Sequence, residues 1–157
     1  MAFTIDGTNG LTFNNSTTQN SGGKVLQVVQ GNTTTSVSTT AGPVTTGLTA
    51  SITPLFSTSK ILVTANFGQI STTVNSNGLG FFVYKNGSNL QKVGQNILYI
   101  TAGHSNFIAS FALQYTDSPA TTSSTTYAIY FSSEQSGTVI VQRDSVPSYI
   151  TLMEIAA

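Results

Sequence analysis

Ser105-Asn106-Phe107-Ile108-Ala109-Ser110-Phe111-Ala112-Leu113-Gln114-Tyr115 decides the fold class. Phe107, Ala109, Phe111, Leu113 and Tyr115 recur at every second position. That period places them on one face of an extended strand. Working outward, Lys60 to Phe67 repeats the pattern with Ile61, Val63, Ala65 and Phe67. Gly80-Phe81-Phe82-Val83-Tyr84-Lys85 runs into Asn86-Gly87, and a return strand follows through Leu90 to Val93. Asn-Gly between two strand-like runs predicts a tight hairpin, because both central residues need positive φ. Further strands are expected over Lys24–Gln30, Gly47–Thr53, Ile97–Thr101, Tyr127–Phe131, Val139–Val141 and Tyr149–Ile155.

No stretch of roughly 11 residues carries a helical period, and β-branched and aromatic residues outnumber helix formers. About eight to ten strands at 8–12-residue spacing predict an all-β antiparallel sandwich. Within that class the reading is a jelly roll. Residues 1–23 are read as a small strand or hairpin followed by a polar linker, together a short extended N-terminal anchoring arm, with Phe3, Ile5, Leu11 and Phe13 as its apolar contacts. Residues 24–157 are read as the jelly-roll head. The Thr-rich stretch 31–47 is expected as an extended segment along a sheet edge or over a neighbour, which would block unwanted pairing.

Charge is nearly absent. The chain has 157 residues, with five Lys or Arg, five Asp or Glu, and a net charge of zero. Charged residues make 6%, against about 25% in an ordinary soluble domain. Ser and Thr number 46, so hydroxyls solvate this surface. No basic stripe exists to bind nucleic acid. There is no Cys, hence no disulfide, thiolate nucleophile or Cys-based metal cage. Apolar runs of three or four residues are far below the roughly 18 of a membrane span. The start has no basic stretch leading into an apolar run, so no secretory signal is expected.

Residues able to carry chemistry are few. His104 is the sole histidine, and with so few acids it has no relay to work in, so it reads as a loop residue. Asp117, Glu134 and Asp144 lie in predicted loops. They could supply oxygens to calcium or a glycosidase pair, but turn-forming acids are the plainer reading. Gly78-Leu79-Gly80 lacks the Lys-Ser or Lys-Thr of a phosphate loop. Asn15, Asn32 and Asn86 match glycosylation acceptors, which chance alone supplies in so Ser- and Thr-rich a chain. No catalytic, metal or cofactor residue is assigned.

Several strands are apolar on both faces: Phe81 with Phe82, Tyr127 with Tyr130, Leu152 with Met153. A sandwich strand needs one buried face, so a second subunit is expected over the other. The seam candidates are Phe82, Tyr84, Tyr127, Tyr130, Tyr149 and Met153. Tyr99, near Gly103, is the candidate contact for a glycan.

Ile5-Asp6-Gly7-Thr8-Asn9-Gly10-Leu11-Thr12-Phe13 through Thr17-Thr18-Gln19 resembles a short module of tailed-bacteriophage fibre proteins. Asn14-Asn15-Ser16 stands where that module has a Pro-Asp-Gly turn. The rest resembles the globular heads of phage and marine-virus structural proteins, which are similar to tumour-necrosis-factor-like and complement-type trimeric jelly rolls. The matching runs are Gly47 to Pro54, Ser59 to Val63, Phe82 to Gly87, Asp117-Ser118-Pro119, Thr126-Tyr127 and Ser148 to Ile155. The resemblance implies a homotrimer made in the host cytoplasm and carried on the virion, touching the major capsid protein or tail proteins. Capsid decoration is the expected role. A tail-fibre tip, a module for host surface glycan and a hydrolase are the alternatives. No membrane or nucleic-acid partner is expected.

Overall fold

The structure, a computed structural model, describes residues 4–6, 10–12, 18–19, 25–101 and 106–156. Three short strands come first: β1 (Thr4–Asp6), β2 (Gly10–Thr12) and β3 (Thr18–Gln19). The head follows as β4 (Val25–Thr33), β5 (Val37–Thr39), β6 (Val44–Ile52), β7 (Lys60–Thr72), β8 (Leu79–Lys85) and β9 (Ser88–Ile97). It continues with β10 (Phe107–Asp117), β11 (Thr125–Ser133), β12 (Val139–Val141) and β13 (Ser148–Ile155). A 3-10 turn at Arg143–Ser145 is the one helical element among the described residues.

Eight of these strands pair as a long hairpin wrapped on itself: β4 with β13, β6 with β11, β7 with β10, and β8 with β9, from outermost to innermost. β7 also pairs with β13, and β8 with β11. The first sheet thus runs β4-β13-β7-β10 and the second β6-β11-β8-β9. That wrapping defines a jelly roll. The short β12 and β5 continue the lines of β13 and β4 past the far half of β7.

The Asn86-Gly87 hairpin forms as its residue types require, with φ of 49° and 82°. The alternation in β10 also holds: Leu113 is buried, while Ala109, Phe111 and Tyr115 are partly so. Phe107, at the strand's start, is exposed. Between the sheets, Phe81 stacks on Phe111 at 4.7 Å and leans on Phe67 at 5.0 Å between centroids. Ile61, Val63, Ile129 and Leu152 are wholly buried around these rings.

The Thr-rich stretch 31–47 is extended and reaches a sheet edge, one of its two expected placements: Gly31 to Thr33 extend β4, β5 pairs with β12 at the end of the strand order, and Val44 opens β6. Ile97–Thr101 is not a strand, because Leu98 takes φ of 62° and turns the chain out of the ladder. In the N-terminal segment the small hairpin forms, as β1 and β2 with Ile5 opposite Leu11, and β3 adds to it as a short meander. Phe3, Phe13, Gly103 and His104 lie outside the described residues.

Candidate interface surfaces

Cross-strand register builds the outer face of the first sheet. Val28 sits opposite Met153, Met153 opposite Leu62, and Leu62 opposite Thr116. The next row is Gln30, Thr151, Thr64 and Gln114, and the one after is Asn32, Tyr149, Asn66 and Ala112. An apolar band is therefore followed by amide and hydroxyl bands, with no charge in any of the three rows. Val28 is 57% exposed and Tyr149 42%, while Met153 and Leu62 are half-buried. Gln30 Nε2 donates to Thr151 Oγ1 at 3.2 Å. A shallow groove of about 370 Å³ opens beside Thr64, Asn66, Ala112, Leu113 and Gln114.

The apolar band meets an exposed loop at one end of the head. Leu55 and Phe56 are 59% and 56% exposed, and the buried carboxylate of Glu154 anchors their backbone. Leu55 N–H donates to Glu154 Oε1 at 2.8 Å and Phe56 N–H at 3.4 Å. Gln27 Nε2 donates to Glu154 Oε2 at 2.6 Å and to the Thr53 carbonyl at 2.7 Å. Burial favours the neutral acid. The Gln27 amide, the Ser59 hydroxyl and the two backbone donors outweigh it, and Glu154 lies below the ordinary carboxylate range.

The outer face of the second sheet is built differently. Tyr84 and Tyr130 stack at 3.9 Å with 18° between ring planes. Phe82 pairs across to Tyr130 on one side and Lys92 on the other. The Lys92 ammonium lies 5.5 Å over the Phe82 ring and also pairs with Glu134. Ser132 Oγ donates to Glu134 Oε1 at 2.7 Å. These groups satisfy one another and leave Phe82 almost fully covered.

The six seam candidates therefore separate. Tyr149 and Met153 lie on the outer face of the first sheet. Tyr84 and Tyr130 face each other on the outer face of the second, and Phe82 is capped by its own strand neighbours. Tyr127 is a correction: it is wholly buried in its own subunit, and its hydroxyl donates to Asp117 Oδ2 at 2.7 Å. Burial first, and that bond second, push the phenol well above its ordinary range. Val28, Leu62, Leu55 and Phe56 were missed as surface groups, though the period-two pattern of β4 and β7 was visible. Tyr99 is 42% exposed in the turn after β9, its N–H on the Asn96 carbonyl at 3.2 Å.

The three loop acids do not converge. Asp117 holds Lys85 at 2.9 Å, Glu134 holds Lys92, and Asp144 lies 3.8 Å from Arg143. Among the described residues no group of three or more His, Asp or Glu could hold a metal ion.

Fold and surface together define a charge-poor jelly-roll domain whose first sheet carries three neutral, partly apolar rows on its outer face, flanked by Lys60 opposite Ile155. No family model matches the chain, and no curated protein does. Among solved structures it is similar to the VP2 subviral particle of infectious bursal disease virus, at 13% identity and TM-score 0.45 over 83% of this chain and 40% of that one. T=1 particles derived from the same virus give 10% identity and TM-score 0.45, over 83% of this chain and 38% of that one. The Gx strain of the virus gives 18% identity and TM-score 0.39, over 85% and 38%. The chain spans about two fifths of the length of these viral chains.

Proposed function

We propose that this chain is a non-enzymatic structural protein of a bacteriophage particle, a jelly-roll subunit that works as a homotrimer and decorates the capsid. The observation that carries the reading is the row Val28–Met153–Leu62 with Tyr149 beside it. An apolar band on an otherwise hydroxyl-rich face has no use in a lone subunit and is the usual mark of a contact surface. Burying such surface contributes about 25 cal/mol per Å². The order of sequence runs similar to phage fibre and decoration heads supports the trimer and the virion setting. The acids of the head support the absence of catalysis: Asp117 and Glu134 each hold a lysine, Asp144 lies beside Arg143, and Glu154 is held by the Gln27 amide and two backbone N–H groups. A trimer seated where capsid subunits meet would add contacts that oppose internal pressure.

The fibre-like start, Ile5 to Gln19, favours a second reading, a tail-fibre or receptor-binding tip. Counting copies in purified particles separates the two. Hundreds of copies fit decoration, and a few tens or fewer fit a tail. A chain absent from the particle contradicts both.

A further inference from the structure

We infer that the free edge of β10 is a second, independent association site, and that its occupant is the same edge of another copy, antiparallel across a two-fold axis. Strand edges carry unpaired N–H and C=O groups, and proteins block them with charge, proline, bulges or cover. Among the described residues of the head five strands lie at edges, β4, β5, β6, β9 and β10, and four of them are guarded. β5 is only three residues long, and a very short edge strand offers little to pair with. β4 is bulged at Leu26, opposite the Glu154–Ile155 step of β13, and presses on β6, so that a Cβ on Gly31 would overlap the Thr49 carbonyl oxygen. That approach covers the β4 and β6 edges together. β9 shifts register three times against β8 and carries Lys92. The β10 ladder has one irregularity, between Ala109 and Phe111, and its extra residue lies on β7, where Gly68 and Gln69 stand opposite Ser110, so the outer edge of β10 keeps its extended run. This strand runs Phe107–Asp117, contains no Pro, Lys or Arg, and reaches its one acid only at its last residue. Among the described residues it pairs with β7 alone.

The core is also left ajar at this edge. On β7 the inward side chains Val63, Ala65 and Phe67 are completely buried. On β10, next to it, inward Ala109, Phe111 and Tyr115 remain half-exposed, although Phe111 belongs to the central ring stack. A strand laid along β10 would cover them.

The strand's own sequence suits that role. Full antiparallel overlap centres on Ala112, which meets its copy. Leu113 then faces Phe111, Gln114 faces Ser110, and Tyr115 faces Ala109. Every close pair joins neutral groups, and aromatic or aliphatic pairs of this kind stabilise a ladder. Like charges placed opposite one another would not. The contact is separate from the Val28–Met153–Leu62 row and doubles whatever unit that row makes.

The test is native mass measurement on the full chain with Ala112→Lys and Ala112→Glu. Ala112 is exposed, so neither change disturbs the core. The wild type should hold an even number of copies, each variant should have half that mass, and an equimolar mixture should regain it. Ala112 also ends the outer-face row of Asn32, Tyr149 and Asn66, and a charge that broke the face contact instead would cut the mass threefold. An odd copy number in the wild type, an unchanged or threefold lower mass in the variants, or a mixture that stays at half mass would overturn the inference. Met153→Asp should instead cut the mass threefold, so loss of the face contact and loss of the edge contact are read apart.

Discussion

Glu154 shows how one residue ties surface to core. Its carboxylate is wholly buried, yet it fixes the backbone of two strongly exposed apolar residues of the head, Leu55 and Phe56. Glu154→Gln keeps the shape and loses the charge. We expect a loss of about 1–3 kcal/mol, the range for disturbing a buried charge-assisted bond, read as a lower urea midpoint at pH 7. Because the folded group ionises below its ordinary value, its stabilisation is complete above the unfolded carboxylate pKa of about 4.3. It fades as pH falls through the lower folded value. The stability gap between wild type and variant should therefore be widest near neutrality and close under acid conditions. A gap that grows in acid would contradict the arrangement. Nothing in the sequence marks Glu154 as buried, because its donors come from residues 27, 55 and 56, brought together only by the β4-β13 pairing and the loop before β7.

At the scale of elements, local chemistry was legible and facing was not. Asn86-Gly87 announced its hairpin because few residues other than glycine and asparagine accept positive φ. The alternation from Ala109 to Tyr115 announced β10. Period two says which residues share a face, but not which face turns inward. Tyr127 and Tyr130 look equivalent in sequence, and only the packing of β11 over β7 and β10 sends the first into the core and the second outward. Leu98 broke the expected strand over Ile97–Thr101 through a backbone turn that its side chain does not advertise. Gly31 makes the matching point about packing. With the Thr49 carbonyl oxygen fixed in the β6–β11 pairing, Gly31→Ala must push β4 away from β6. We expect a cost of about 1–3 kcal/mol, typical of overpacking, seen as a lower midpoint in urea. Full wild-type stability in that variant would show that the two edges do not press together.

For the whole molecule, the decisive trait is where the few charges went. Lys85, Lys92, Asp117 and Glu134 neutralise one another at the margins of the second sheet. The three rows on the first sheet's outer face hold none. An assembly closed by such a face has little for salt to screen, since screening acts on charges alone. Its copy number should stay constant from roughly 0.1 to 1 M salt, as followed by light scattering, and dissociation on adding salt would mean that charge holds it together. The jelly-roll class was readable from strand spacing and turn residues. The split of the aromatic candidates over two opposite faces was not, because it depends on how the long hairpin wraps.

The most direct measurement of the central claim is the native mass of the wild type beside Met153→Asp, which places a charge in the middle of the apolar row. The account predicts a wild-type copy number divisible by three and a threefold fall in mass for the variant, with the fold retained. A wild type that exists as a folded single copy, or a variant whose mass does not change, would contradict it.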